Sequence, residues 1–151
     1  MAHTVRDLLD EVRAFHGELS KYYLACSATT SEVRARMFLD FMAEHELALS
    51  EAMAEYEVNG SPDLLNTWIK SPPELAWRAT EDERTLRPES TVDEVLTVVL
   101  RFHERIAVFF EQVATEPVGP RVTELFEQLR EYEQLEERRA SRVAVEAERE
   151  M

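Results

Sequence analysis

Residues 12–46 read VRAFHGELSKYYLACSATTSEVRARMFLDFMAEHE, and residues 99–133 read VLRFHERIAVFFEQVATEPVGPRVTELFEQLREYE. A shift of 87 positions aligns the two stretches without a gap and also lays Tyr22-Tyr23 on Phe109-Phe110. Most of the identical pairs fall on one helical face; they are Val12/Val99, Phe15/Phe102, His16/His103, Arg34/Arg121, Glu44/Glu131 and Glu46/Glu133. Because each copy has the apolar spacing of two helices joined by a turn, we predict two helical hairpins related by an internal repeat.

Apolar residues at spacings of three and four predict four long helices in this chain of 151 residues. The first helix should begin after Thr4, and the second should follow a capping box at Thr29. The third should begin at Thr91, which has the capping-box spacing to Glu94. We expect one helical domain, divided into a hairpin at 4–59, a crossover at 60–90, a second hairpin at 91–135 and a charged, solvated extension at 136–151.

The connection at residues 60–90 contains four of the six prolines and both tryptophans. About 30 residues are long enough to travel the length of a helix of roughly 40 Å, so the third helix can start at the same end as the second. We expect Trp68 and Trp77 to pack this segment onto the helices. The prediction is an all-α four-helix bundle, with two hairpins joined by a long crossover. Two long helices pairing in a dimer are the alternative.

The charge and composition of the chain argue against some classes of function. The formal net charge of −14 argues against binding to nucleic acid or to an anionic membrane surface. Cys26 is the single cysteine, the first seven residues lack the apolar core of a signal peptide, and the apolar runs are too short to cross a bilayer. We therefore expect a cytoplasmic protein. We also expect a homodimer, with a possible protein partner.

Four residues at matching depth in the helices suggest a site. His16, His45, His103 and Tyr132 should face inward on one level, with Glu44 and Glu133 beside them. Buried imidazoles need partners, so the layer is one of two things. It is either a hydrogen-bonded plug, with Glu44, Glu46, Glu104 and Glu133 at its edges, or a site for one transition-metal ion such as iron, zinc or manganese. No nucleophile with a base at a recognisable spacing is present, so we predict no catalytic residue and no organic cofactor.

The repeated hairpins, the crossover and the seven-residue spacings from His16 to Tyr23 and from His103 to Phe110 resemble the ferritin-like superfamily, especially rubrerythrins and bacterioferritins. The resemblance implies two irons held by a Glu on helices 1 and 3 and a Glu-x-x-His on helices 2 and 4, used for oxygen or peroxide chemistry or iron storage. His16 and His103 stand where the single glutamates would be, and His45 and Tyr132 stand where each Glu of the Glu-x-x-His would be. No register restores the full carboxylate set, including one built on Glu46 and Glu133.

Three functions therefore remain open. The first is a ferritin-like binding or accessory protein without ferroxidase activity, whose histidine layer holds one metal ion. The second is a di-metal redox or peroxide-handling enzyme of the rubrerythrin type, which requires carboxylates to turn inward from among Glu18, Glu44, Glu104, Glu131 and Glu133. The third is a metal-free structural or regulatory protein.

Overall fold

The structure is a computed structural model, and it describes residues 3–75 and 86–149. It is mostly helical, which confirms the all-α class. Its elements in chain order are β1 (His3–Thr4), α1 (Val5–Thr29), α2 (Val33–Asn59), α3 (Pro62–Leu65), β2 (Trp68–Ile69), α4 (Val92–Ala114) and α5 (Pro120–Arg149).

Side-chain caps fix where the long helices begin. Thr4 with Asp7 and Thr91 with Glu94 each form a full capping box, with the threonine hydroxyl accepting from the backbone N–H of the acidic residue. These two threonines are themselves 87 positions apart, so the repeat extends to the helix starts. The expected cap at Thr29 is wrong. α1 continues through Thr29, and the Glu32 carboxylate caps α2 by accepting from two backbone N–H groups.

Hydrogen bonds along the length of α1 and α2 show that these helices run antiparallel. Residues late in α1 pair with residues early in α2, and residues early in α1 pair with residues late in α2, as expected for a hairpin with a short turn. The bonds join Ser27 to Asp40 (2.5 Å), Ser20 to the Ala43 carbonyl (2.8 Å), Ser50 to the Arg13 carbonyl (3.1 Å) and Arg6 to the Glu57 carbonyl (3.2 Å). α4 and α5 form the second hairpin, with Pro117 to Gly119 in the corner between them.

The connection between the hairpins starts and ends at opposite ends of the first hairpin. The bond from Arg6 to Glu57 places the end of α2 beside the start of α1. The backbone N–H and the hydroxyl of Ser31, in the α1–α2 turn, both donate to the Pro88 carbonyl, at 2.8 and 2.9 Å. Pro88 precedes α4, so α4 begins at the end of the hairpin where α2 also begins.

The first part of this connection contains one helical turn followed by a short strand. After the single turn of α3, Trp68 and Ile69 form β2, which pairs antiparallel with β1. Ile69 is fully buried, whereas Trp68 is 64% exposed, so the expectation that Trp68 packs onto the helices is wrong. Strand alternation explains this, because neighbouring residues point to opposite faces. Trp77 lies outside the described residues.

The two hairpins share one hydrophobic core. The Phe102 ring of α4 contacts three rings of α1 edge-on or nearly so, those of Phe15, Tyr22 and Tyr23, at centroid distances of 6.3, 5.6 and 6.3 Å. Phe102 and Phe15 are repeat-equivalent, and both are buried. Equivalent segments of the two repeats therefore pack against each other at the centre of the molecule.

The expectation of a solvated segment after residue 135 is wrong for one face of it. α5 continues unbroken to Arg149, and Glu136, Ala140 and Ala144 are buried. The Arg34 guanidinium at the start of α2 donates to the Glu148 carbonyl at 2.9 Å. Small alanines, which carry little hydrophobic signal, let α5 approach closely, and this explains why periodicity of large apolar residues misses the contact.

Candidate functional site

Two histidines and two glutamates, one from each long helix, meet in the core. They are His16 of α1, Glu46 of α2, His103 of α4 and Glu133 of α5, and we call them the His–Glu ring. None of the four side chains is more than 3% exposed. Phe15 and Phe102, which precede the two histidines in sequence, are buried as well. The ring is thus a buried polar cluster to which both hairpins contribute.

Each imidazole of the ring lies between the two carboxylates. His16 Nδ1 is 2.5 Å from Glu46 Oε2, and His103 Nδ1 is 2.5 Å from Glu133 Oε1. His103 Nε2 is 2.5 Å from Glu46 Oε1, but His16 Nε2 is 3.9 Å from Glu133 Oε2. The two imidazoles lie 6.2 Å apart between ring centroids, at an interplanar angle of 60°. Three edges of the ring are therefore closed and one is open.

The ring follows the internal repeat. His16 and His103 are 87 positions apart, and so are Glu46 and Glu133. In both halves Nδ1 faces the glutamate of the same hairpin and Nε2 faces the glutamate of the other hairpin. The two halves are thus related by an approximate twofold axis through the ring, which is broken only at the open edge.

The protonation states of Glu46 and His103 are set by competition between burial and charge. Burial alone would raise the pKa of Glu46, but His103 and His16 beside it hold that pKa well below its ordinary range. Burial alone would lower the pKa of His103, but Glu46 and Glu133 hold it well above its ordinary value. At neutral pH His103 is therefore an imidazolium, whose Nε2–H donates to the ionised Glu46.

One of the three closest contacts in the ring is poorly oriented for a hydrogen bond. His103 Nδ1 and Glu133 Oε1 are buried and only 2.5 Å apart, yet neither is oriented to hydrogen-bond. Buried polar atoms are normally paired, and each exception needs an explanation. Two of the three 2.5 Å contacts are hydrogen bonds, those of Glu46 with His16 and with His103, so the pair of His103 and Glu133 is the exception in the ring. In the described parts of the chain, no group of three or more His, Cys, Asp or Glu side chains has an arrangement that could hold a metal ion.

Three of the six expected site residues lie outside the ring. His45 is outside the ring and contacts Glu136 of α5, with its ring stacked on Phe41. The expectation that Tyr132 faces inward is wrong, since it is 49% exposed, and Glu44 is exposed as well. Burial, with Glu136 close by, raises the pKa of Tyr132. His16, His103 and Glu133 are brought together as expected.

Glu46 is the ring residue that we expect only at the edge of a hydrogen-bonded plug and not among the metal ligands. The apolar stripe read along α2 passed through Phe41, His45, Ala48 and Ala52, whereas the buried face runs through Met42, Glu46 and Leu49. Adjacent residues of a helix differ in direction by about 100°, so a shift of one position exchanges Glu46 for His45. The repeat held the missing signal, because Glu46 and Glu133 are one of its identical pairs.

The carboxylates that a di-metal enzyme would need are mostly on the surface. Glu44, Glu104 and Glu131 are exposed, and the Glu18 side chain is 42% exposed. Only Glu133 of that expected set is buried. The buried carboxylates at the centre are therefore those of the ring, with Glu136 one helical turn beyond Glu133.

The chain matches no family model, no curated protein and no solved structure. None of the described helices is both long and apolar enough to pass through a membrane. The resemblance to ferritin-like proteins, the homodimer and the protein partner therefore stay predictions, and the function has to be argued from the ring itself.

Proposed function

We propose that this protein is a ferritin-like four-helix bundle without ferroxidase activity, which binds one divalent transition-metal ion, iron, zinc or manganese, in the His–Glu ring. The observation that carries the proposal is the convergence of two imidazoles and two carboxylates from four helices on one buried point. Imidazole nitrogen and carboxylate oxygen are ligands common to these metals. Binding would release the proton of His103, because an imidazole must be neutral to bind a metal ion. Two ionised carboxylates and two neutral imidazoles then balance one divalent ion, so the loaded site carries no net buried charge.

Binding an ion would require the ring to rearrange. One ion can bond to only one nitrogen of each imidazole, whereas both nitrogens of His16 and of His103 face carboxylates in the structure. Each imidazole would therefore turn so that one nitrogen points at the ion, at the usual zinc–nitrogen distance of about 2.0–2.1 Å.

The ferritin-like part of the proposal rests on topology and on the ring positions. The hairpins start and end as a long crossover requires, with Pro88 beside Ser31 and Glu57 beside Arg6. Glu46 and Glu133 lie on the second helix of each hairpin. In the register built on these two residues, each stands at the position of one glutamate of the ferritin-like ligand set. The helix 1 and helix 3 positions hold His16 and His103 in place of glutamate, which favours a single ion over a carboxylate-bridged pair.

Elemental analysis of tag-free protein tests the proposal. After supplementation with ferrous iron, zinc and manganese in turn, we expect about one ion per chain for the preferred metal. His103→Gln should lose that ion. His45→Gln is the matched control, because His45 is close to the ring in sequence but pairs with Glu136, and it should keep the ion. Absence of metal in the unaltered protein, or equal metal in both variants, would contradict the proposal.

The second candidate is a metal-free ring that fixes the pairing of the two hairpins. The observation favouring it is that three of the four imidazole–carboxylate edges are already in direct contact. Such a ring predicts no bound metal after supplementation and no rise in melting temperature when metal is added. Metal binding predicts a rise in melting temperature that His103→Gln abolishes.

A further inference from the structure

A cavity of about 270 Å³ leads from the surface to the His–Glu ring. Its walls are mainly apolar, formed by Leu49, Met53, Phe110 and Leu129. Its outer rim includes Ala52, Tyr56 and Tyr132, which are exposed, and at its inner end lie His16 and Glu133, which are buried. An apolar pocket that ends on a few converging polar groups is the usual form of a small-molecule site.

The cavity meets the ring at its open edge. His16 and Glu133 line the cavity, whereas Glu46 and His103 do not. The same two residues form the 3.9 Å edge, too long for a hydrogen bond, while the other three edges are at 2.5 Å. The two residues that line the inner end of the cavity are therefore the two that form the open edge of the ring.

The internal repeat shows that this opening is particular to one side. The repeat-equivalents of Leu49 and Tyr132 are Glu136 and His45, which contact one another and cover the other side of the ring. The equivalent of Ala52 is Arg139, a much larger residue. On that covered side the equivalent edge, from His103 to Glu46, is closed at 2.5 Å. One side of the ring is therefore closed by larger polar residues, whereas the equivalent positions on the other side are small or apolar residues that line the cavity.

We propose that this cavity binds a small uncharged alcohol or phenol, with its hydroxyl inserted between His16 Nε2 and Glu133 Oε2. A hydroxyl both donates and accepts, so it satisfies an imidazole and a carboxylate at once. With hydrogen bonds of about 2.8 Å to each, an oxygen spans the 3.9 Å gap without moving either side chain. A carboxylate head would be repelled by Glu133, and the volume suits a short chain or a single aromatic ring.

The experiment is a titration of metal-free protein with 1-hexanol, phenol and hexanoate, followed by NMR of the Met53 methyl group. Metal-free protein is used so that the result is independent of the proposed metal site. We expect saturable shifts with 1-hexanol or phenol, and binding of hexanoate weaker by at least about tenfold. Loss of metal binding with retained alcohol binding would overturn only the proposed function, and the reverse would overturn only the cavity proposal.

Variants at the rim complete the test. Ala52→Phe fills the mouth of the cavity and should weaken alcohol binding by at least about tenfold. Ala52→Arg, which introduces the residue type of the closed side, should do the same and serves as the second variant if the first does not fold. Ala25→Phe, at an exposed position of α1 away from the cavity, is the matched control and should bind as the unaltered protein does. No saturable shift with either alcohol, equal binding of hexanoate, or unchanged binding in the folded Ala52 variants would overturn the proposal.

Discussion

Glu46 is the carboxylate that joins the two hairpins, because it contacts one imidazole from each of them. In Glu46→Gln the amide cannot balance His103, which is left as a buried charge with only Glu133 beside it. Breaking a buried ion pair by removing one partner costs about 3–5 kcal/mol. We therefore expect Glu46→Gln to lower the free energy of unfolding by roughly that amount in urea denaturation.

Glu44→Gln is the control for this prediction, since Glu44 is exposed and only two residues away. It should change the free energy of unfolding by less than about 0.5 kcal/mol. Equal losses in the two variants would mean that α2 presents a different face to the core.

Glu57 gives a prediction of pH dependence at a point distant from the ring. Burial, followed by Asp10 facing it from α1, raises the pKa of Glu57 to about 7, although Arg13 and Arg6 act in the opposite direction. A carboxyl whose pKa is higher in the folded state stabilises the fold at low pH, and this contribution is lost as the pH rises from about 4.5 towards 7. Glu57→Gln should therefore be more stable than the unaltered protein at pH 8, by about 1–2 kcal/mol, and nearly equal to it at pH 5.

Chemical denaturation at the two pH values measures this difference. Glu55→Gln, at an exposed position of the same helix, should show no such pH dependence. A Glu57→Gln variant that is less stable at pH 8, or equally stabilised at both pH values, would contradict the account.

At the scale of elements, the last turns of α5 belong to the packed molecule. Ala144 is 2% exposed and Val145 is 50% exposed, so adjacent residues differ sharply in surroundings. Ala144→Asp would bury a charge without a partner and should cost about 2–4 kcal/mol in urea denaturation. Val145→Asp should cost less than about 1 kcal/mol. Equal effects would show that this part of α5 is not packed in solution.

The helices themselves could be predicted from sequence, because apolar periodicity and the capping box at Thr91 are local signals. The face of α2 could not, since the large apolar residues form a broad stripe on which His45 and Glu46 both fit. A buried glutamate carries no hydrophobic signal, and only its identity with Glu133 across the repeat pointed to it. The strand pair of β1 with β2 was missed for another reason, as two-residue strands leave no periodicity to read.

At the scale of the whole molecule, duplication explains both the fold and the ring. Two hairpins that carry the same His and Glu positions place four polar groups around one approximate twofold axis, where neither hairpin alone has a complete site. The two sides of the ring differ in spite of this symmetry. His45 and Glu136 lie in contact on one side, and the cavity reaches the ring on the other. The number and spacing of the helices determine where the site lies, and the departures from the repeat determine how it is reached.

The most direct measurement is anomalous X-ray diffraction from crystals of the protein loaded with zinc or manganese. Metal binding in the ring predicts one strong anomalous peak inside it, bonded to His16, Glu46, His103 and Glu133. Peaks only at surface carboxylates or between His45 and Glu136, with none in the ring, would contradict it.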